Sequence, residues 1–166
     1  MIKKIFSAIL AVVITVSLIS CNEDTVYSHC EIVLPLEQEY VEVENTVYDK
    51  VYTNETYVVT ITRISFEAGL NEGIPETLSL PEFAEFYLEK CGREANIIND
   101  EIVYCEYYVT EGGIEHFYLE SFYRSPYAYF IVLFASNSSL ENEARNDFIE
   151  YAKNVKFVYD KFSEGL

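Results

Sequence analysis

The sequence predicts an α+β fold, an antiparallel sheet of about six strands with helices packed on both of its faces. Short segments that alternate apolar and polar residues are separated by turn residues, which is typical of antiparallel strands. Two longer segments repeat apolar residues at the spacing of a helix. Residues 127–135 are apolar on both faces of a predicted strand, so this strand should be central and covered on both sides.

The first half of the chain predicts extended segments followed by a loop. The strongest strand is 56–66, which is rich in β-branched and aromatic residues and follows a turn at Asn54-Glu55. Gly69, Gly73 and Pro75 favour a loop over residues 67–78. Three weaker extended segments precede the turn: 29–34, 40–44 and 47–53.

Two helices are predicted from their start signals and their apolar stripes. Ser79 and Glu82 fit a capping box, and Gly92 is a stop signal for the first helix. Ser138 and Glu141 fit a second capping box, before a helix at about 140–154. The stripes are Phe83, Ala84, Tyr87, Leu88 and Cys91 in the first helix, and Ala144, Phe148, Tyr151, Ala152 and Val155 in the second.

A meander of strands is predicted between the two helices. Residues 97–109 form a long extended segment with a break near Asn99-Asp100. Glu111-Gly112-Gly113 is a hairpin turn that leads into the strand at 114–123. The central strand at 127–135 completes the meander, and 156–158 is a last short strand after the second helix.

The first 21 residues look like the leader of a bacterial lipoprotein. Lys3 and Lys4 precede an apolar run that ends at Ile19 and is shorter than the roughly 20 residues of a membrane-spanning helix. The tetrapeptide Leu18-Ile19-Ser20-Cys21 resembles a lipobox. The resemblance implies that signal peptidase II recognises Leu18, Ile19 and Ser20 and cuts before Cys21, whose sulfur carries a diacylglyceryl group. The alternatives are an ordinary secretory signal with a chance cysteine, and an uncleaved anchor.

This leader determines the predicted domain organisation and localisation. Each buried methylene of an acyl chain contributes about 0.8 kcal/mol, so two or three chains would hold a domain firmly on a membrane. The folded part would face outside the cytoplasm, on the outer leaflet of the inner membrane or on the outer membrane and cell surface. The predicted units are a signal peptide at 1–20, a lipidated tether at 21–29, a single α+β domain at 30–159 and a loose tail at 160–166.

The chain is strongly acidic, with a formal net charge of −17. Phosphate contacts require basic patches, so the charge excludes nucleic acid as a natural partner. It also argues against adhesion of the whole domain to anionic lipid, which leaves membrane attachment to Cys21. The charge is compatible with a basic partner, although it would also serve simply to keep an exported protein soluble.

Three cysteines remain if Cys21 is acylated: Cys30, Cys91 and Cys105. Cys91 and Cys105 are candidates for a disulfide formed after export. The alternative is that all three are reduced core residues, because sequence spacing alone does not bring two thiols together.

Motifs for catalysis and metal binding are missing from the sequence. It contains no Gly-x-Ser-x-Gly, no phosphate-binding glycine loop and no metal-ligand spacing, and its only histidines are His29 and His116. We therefore predict no cofactor, no metal site and no catalytic residue. A carboxylate pair for hydrolysis stays open, because 28 acidic residues will bring some carboxylates together in any fold.

The order of elements resembles the PsbP-like superfamily, which includes DcrB- and LpqN-type bacterial lipoproteins. The similarity lies in Ile32-Val33-Leu34-Pro35, in residues 80–88 of the first helix and in residues 148–152 before a terminal Val-Lys-Phe. It implies an α/β/α sandwich, and it implies a binding or assembly role rather than an enzyme. The superfamily has no shared catalytic motif to place on this chain.

Tyrosines concentrate in the meander and suggest a binding face, since tyrosine combines apolar area with a polar tip. The residues that we assign to it are Tyr104, Tyr107, Tyr118 and Tyr123; the alternative is a tyrosine-rich core. The first functional hypothesis is a non-catalytic envelope lipoprotein that binds a protein or peptide through a sheet edge or this face. The second is a small-ligand or carbohydrate-binding lipoprotein, and the third a carboxylate-dependent hydrolase.

Overall fold

The computed structural model describes residues 30–37, 39–94 and 96–159. The predicted leader with its lipobox, the tether at 21–29 and the tail at 160–166 lie outside the described residues. Among the described residues, no helix has the length and apolar character that crossing a bilayer would require.

The described residues form nine strands and three α-helices. Seven strands make one antiparallel sheet in the order β2-β3-β4-β8-β7-β6-β5, and β1 and β9 pair in a separate ribbon. The predicted α+β class with an antiparallel sheet is confirmed. The strands are β1 (Cys30–Val33), β2 (Val41–Glu42), β3 (Lys50–Thr53), β4 (Val58–Ser65), β5 (Ile97–Asn99), β6 (Val103–Glu111), β7 (Ile114–Arg124), β8 (Ala128–Asn137) and β9 (Lys156–Tyr159). The helices are α1 (Phe66–Asn71), α2 (Leu80–Lys90) and α3 (Glu141–Lys153).

Strand β8 lies at the centre of the sheet, as its two apolar faces predict. It pairs with β4 on one side and with β7 on the other, and nine of its ten residues are buried. Phe130 and Phe134 belong to the core under α3, whereas Tyr129 and Ile131 belong to the core under α2. Burial on both sides therefore follows from the layers that cover the sheet.

The helices α3 and α2 cover opposite faces of the sheet, which we call the α3 face and the α2 face. On the α3 face, the Phe148 ring lies 4.9 Å from Tyr57 and 5.2 Å from Phe134, between ring centroids. On the α2 face, Phe83 stacks on Tyr129 at 4.0 Å. Full burial of a side chain of this size stabilises the fold by about 1.5–3 kcal/mol, so these rings contribute much of the cohesion between layers.

The predicted capping box of α2 is present. The backbone N–H and the hydroxyl of Ser79 donate to Glu82 Oε2 at 2.8 and 2.6 Å. Gly92 follows the helix with φ +65°, a conformation that favours glycine.

Two predictions about helix starts are wrong. Residues 67–78 are not entirely loop, because α1 begins at Phe66 and the Ser65 hydroxyl accepts the N–H of Ala68. Ser138 does not form a capping box with Glu141. Asn137 instead accepts the N–H of Ser139 and starts a 3₁₀ turn over Ser138–Leu140, from which α3 continues.

The strands of the first half are shorter than predicted. Segment 43–49 is a loop between β2 and β3, because Asn45 Oδ1 accepts the N–H groups of Val47 and Tyr48 and so turns the chain. The predicted segment 97–109 divides into β5 and β6 close to the expected break at Asn99-Asp100. The ribbon of β1 and β9 packs on the α3 face through Cys30 and Ile32.

Candidate binding site at the edge of β6

Strand β6 has an open edge. It pairs with β7 along its whole length, from Val103 to Glu111. On its other side β5 pairs only with Val103–Cys105, so residues Glu106–Glu111 have no strand neighbour there among the described residues. A free edge of this kind presents backbone N–H and C=O groups that can pair with another extended chain.

Side chains of the open edge alternate between the two faces of the sheet. Tyr107 lies opposite Tyr118 on the α2 face, and Tyr108 lies opposite Phe117 on the α3 face. Tyr108 is 46% exposed, and Thr110 beyond it is also exposed. The edge therefore combines unpaired backbone with an accessible aromatic ring.

A buried ion pair holds this edge on the α2 face. Arg93 follows α2, and its Nη1 donates to Glu120 Oε2 and to the Tyr107 hydroxyl, at 2.7 Å each. The Tyr107 hydroxyl donates in turn to Glu120 Oε2 at 3.3 Å. The Tyr107 ring lies under the Arg93 guanidinium and stacks on Tyr118, 5.3 Å away. These contacts link α2, β6 and β7 through one polar cluster.

The cluster is stable because each buried charge has a partner. The Glu120 side chain is 2% exposed, and burying such a carboxylate alone costs several kcal/mol. Burial raises the pKa of Glu120, while the charge of Arg93 and the hydrogen bonds from Arg93 and Tyr107 oppose that rise. Burial, the largest single influence, would lower the pKa of Arg93, but the charge of Glu120 together with Tyr107, Tyr87 and Cys91 raises it. Burial also raises the pKa of Tyr107, which therefore stays protonated and donates.

A second arginine holds the same edge on the α3 face. Arg145 of α3 donates from Nε and Nη2 to the two carboxylate oxygens of Glu106, at 2.9 Å each. Its Nη2 also lies 2.7 Å from Glu141 Oε1, and its guanidinium lies over the Phe117 ring. A bidentate pair restricts both side chains more than a single contact does. Strand β6 is thus fixed from both faces while its edge stays open.

The four tyrosines predicted as one binding face do not lie on one face. Tyr107 and Tyr118 are on the α2 face, whereas Tyr104 and Tyr123 are on the α3 face, where the Tyr123 hydroxyl donates to the carbonyl of Ala152. The physical reason is the two-residue period of a strand, which separates Tyr104 from Tyr107. Tyr118 is also only 1% exposed. Tyr108, which the prediction left out of the face, is the exposed ring.

Buried polar groups continue along the α2 face towards the hairpin tip. His116 and Tyr118 are 3% and 1% exposed, and their ring centroids lie 6.4 Å apart. His116 Nε2 and the Tyr118 hydroxyl have no hydrogen-bond partner among the described residues. This differs from Tyr107, whose hydroxyl has two partners.

An open groove of about 710 Å³ lies between the end of α2 and β5. Arg93 forms part of its wall, so the groove adjoins the buried ion pair. Its other lining residues are Glu85, Leu88, Glu89, Gly92, Glu94, Asn96 and Ile97. Three glutamates and two apolar side chains give the groove an acidic rim around an apolar floor.

The sequence offers Cys91 and Cys105 as candidates for a disulfide and predicts no metal site. Both cysteines are free thiols on the α2 face, where Cys105 is buried in the core and Cys91 packs against it half-buried. Burial raises the pKa of both thiols, which therefore stay protonated. Among the described residues, no three side chains of His, Cys, Asp or Glu lie together in a group that could hold a metal ion.

No protein-family model and no curated protein matches this chain. Solved structures with a related arrangement include a crystal structure from Bacteroides thetaiotaomicron VPI-5482, with 11% identity and a TM-score of 0.46 over 81% of this chain. The chain spans about half of that protein, 47% of its length. Mycobacterium tuberculosis LpqN, involved in cell envelope biogenesis, has 8% identity and a TM-score of 0.46, with 78% of this chain and 84% of LpqN covered.

A third similar structure is the cyanobacterial PsbP protein, CyanoP, of Synechocystis sp. PCC 6803. It has 12% identity and a TM-score of 0.44, with 84% of this chain and 98% of CyanoP covered. The structural neighbours thus include a protein involved in cell envelope biogenesis and a PsbP protein, both at low identity.

Proposed function

We propose that this chain is a lipid-anchored, non-catalytic accessory protein of a bacterial cell envelope, whose domain binds an extended segment of a partner protein. The anchor is assigned from the lipobox at Leu18–Cys21. The observation that carries the binding role is the open edge of β6, residues Glu106–Glu111. A partner strand added there would gain main-chain hydrogen bonds along up to six residues.

The open edge is well suited to strand addition. The Arg93 and Arg145 contacts hold β6 in place before a partner arrives, which reduces the ordering cost of binding. The edge contains no proline, which would block pairing, and its Tyr108 ring offers apolar contact area. The opposite edge of the sheet is strand β2, which has only two residues. Strand addition is therefore favoured at β6.

Charge indicates the chemistry of the partner segment. The exposed Glu115 lies opposite Thr110 of the open edge, near the hairpin tip, on a chain of net charge −17. A segment with lysine or arginine beside its apolar residues would be attracted to this edge, and salt would slow its association. The partner is therefore proposed to be a basic, extended segment of an envelope protein.

A non-catalytic role agrees with how the buried carboxylate is used. Arg93 and Tyr107 both donate hydrogen bonds to Glu120, and the residues paired with it on the two adjacent strands, Cys105 and Leu133, are buried. This geometry stabilises the strand pair β6–β7 and gives Glu120 a structural task.

The groove beside Arg93 supports a second candidate function, the binding of a small ligand or carbohydrate. Its volume of about 710 Å³ is in the range of small-molecule sites. Thermal shifts with oligosaccharides or small cations, in a protein that binds no peptide, would favour this function over the first.

Photo-crosslinking in intact cells tests the proposal. A photoreactive residue would replace Thr110 at the edge or, as a control, Asn146, an exposed residue of α3. We expect one protein to crosslink from position 110 and not from 146, with a lower yield in Cys21→Ala. Equal crosslinking from both positions would contradict an edge site.

A matched charge pair then tests the recognition chemistry. A peptide from the crosslinked segment should bind the purified domain about ten-fold more weakly after Thr110→Lys, which repels a basic segment. Thr110→Glu should bind at least as tightly as the wild type. If the two variants bind alike, charge recognition at this edge is wrong.

A further inference from the structure

The chain enters the domain at one end of the sheet. Strand β1 begins at Cys30, directly after the tether of the proposed function, and Cys30 lies opposite Tyr159 of β9. The ring of Phe157, two residues before Tyr159 in β9, lies 5.9 Å from the ring of Phe130 near the start of β8, between centroids. We call this end of the sheet the tether end; there β8 begins and β4 and β7 finish.

Three large apolar side chains are exposed at the tether end. Tyr127 in the turn between β7 and β8 is 47% exposed, and Tyr159 is 48% exposed. Leu70 is 58% exposed on α1, the helix that follows β4 at this end. Helix α1 and the β7–β8 turn are hydrogen-bonded to each other, because the N–H of Phe66 in α1 donates to the carbonyl of Tyr127 at 3.1 Å. An apolar end on an exported domain indicates a surface that is covered.

Charged side chains of both signs lie at the tether end. The exposed cations Arg124 and Lys156 are there, and so are the exposed acids Glu67 on α1, Glu76, whose carbonyl accepts a hydrogen bond from Arg124, and Glu101 before β6. Since the charges are mixed, contact of this end with a bilayer would depend on its apolar side chains.

The tether restricts how far this end can lie from a bilayer. The nine residues 21–29 between the proposed acylated cysteine and β1 span at most about 30 Å when fully extended. Strand β7 has 11 residues, which places the β6–β7 hairpin tip about 35 Å from the tether end. The end that carries the exposed tyrosines is therefore the end that the anchor brings to the lipid.

We infer that the tether end rests on the phospholipid head-group surface through Leu70, Tyr127 and Tyr159, so that the β6 edge projects away from the membrane. Tyrosine suits the boundary between apolar chains and water, because its ring is apolar and its hydroxyl stays hydrated. This inference rests on the lipid anchor of the proposed function and adds an orientation to it.

Tryptophan fluorescence tests the orientation, because the chain contains no tryptophan. The matched variants are Tyr127→Trp at the tether end and Tyr108→Trp at the β6 edge, where the native rings are 47% and 46% exposed. Each lipidated full-length protein would be reconstituted into phosphatidylcholine vesicles with and without bromine on the upper acyl chains. Flotation of the vesicles would first establish that the protein is anchored.

We expect bromolipid to reduce the emission of Tyr127→Trp roughly two-fold, as for a ring at the head-group boundary, and to leave Tyr108→Trp unchanged. Adding Leu70→Ser and Tyr159→Ser to Tyr127→Trp should relieve the quenching. Equal quenching of both variants, or none in Tyr127→Trp, would overturn the orientation while leaving the anchor intact. A protein that does not float with the vesicles would overturn the anchor itself, and the orientation with it.

Discussion

Arg93 and Glu120 form an ion pair across 2.7 Å beneath α2, although 27 residues separate them in the chain. The same Arg93 nitrogen also binds the Tyr107 hydroxyl. The pair therefore connects the end of a helix to two adjacent strands, one of which carries the open edge. Its loss should affect both stability and the candidate site.

Replacing Arg93 with methionine should destabilise the domain by about 3 kcal/mol, because the buried Glu120 would lose its positively charged partner and keep only the hydrogen bond from Tyr107. Urea unfolding at neutral pH would measure the difference. Lys90→Met is the matched control at the end of the same helix. Lys90 is 41% exposed in its pair with Glu72, so that change should cost less than about 1 kcal/mol. Similar losses in the two variants would contradict the role of the ion pair.

The loss of folding stability caused by Arg93→Met should become smaller as the pH falls. Burial raises the pKa of Glu120 in the folded protein, and removing Arg93 raises it further. A folded state with the higher pKa binds the proton more tightly, so protonation favours folding and the penalty develops as pH rises through that pKa. Unfolding curves between about pH 5 and pH 7 should show the trend. Adding Glu120→Gln to Arg93→Met should remove this pH dependence. If the loss of stability in Arg93→Met does not depend on pH, Glu120 is not its cause.

Two buried tyrosines should respond differently to loss of their hydroxyl. Tyr107→Phe removes two hydrogen bonds, including the one from Arg93, and should cost about 1–2 kcal/mol. The Tyr118 hydroxyl has no partner among the described residues, so Tyr118→Phe should be neutral or stabilising. Thermal and urea unfolding of the two variants would compare them. A larger loss for Tyr118→Phe would contradict the hydrogen-bond assignment.

Phe148 should be the most sensitive position of α3. It is fully buried and contacts the rings of Tyr57, which directly precedes β4, Phe117 of β7 and Phe134 of β8. Phe148→Ala should cost about 3–5 kcal/mol through lost burial and the cavity that remains. Asn146→Ala, on the exposed side of the same helix, should change stability by less than about 0.5 kcal/mol. Denaturant unfolding measures both changes in stability. A loss for Phe148→Ala as small as that for Asn146→Ala would contradict the central position of Phe148 in the core.

Thiol counting tests both the cysteine state and the anchor. After unfolding without reductant, the mature protein should take up three alkyl groups at Cys30, Cys91 and Cys105, since Cys21 would be a thioether. Intact-mass spectrometry provides the count and would also detect the diacylglyceryl group. One alkyl group would indicate a disulfide between Cys91 and Cys105. Four would show that Cys21 is unmodified.

Local sequence patterns predict the structural elements that depend on contacts between residues close together in the chain. The capping box at Ser79 and Glu82 and the turn at Gly112-Gly113 are examples, because both depend on contacts within a few residues. The sequence does not predict helix α1, since the helix is only six residues long and contains Gly69, which lies against Ile64 and Ile74. Its stability comes from that packing, which local propensity does not report.

The α+β class, the central position of β8 and the lipoprotein hypothesis can all be predicted from the sequence, because each depends on a pattern of neighbouring residues. The folded structure was needed to show that Arg93 contacts Glu120, that Arg145 contacts Glu106 and that β5 leaves most of β6 unpaired. These contacts join residues that are distant in the chain, and register and layer packing bring them together. A strand reveals its alternation in sequence, but its partner and its open edge are properties of the assembled sheet.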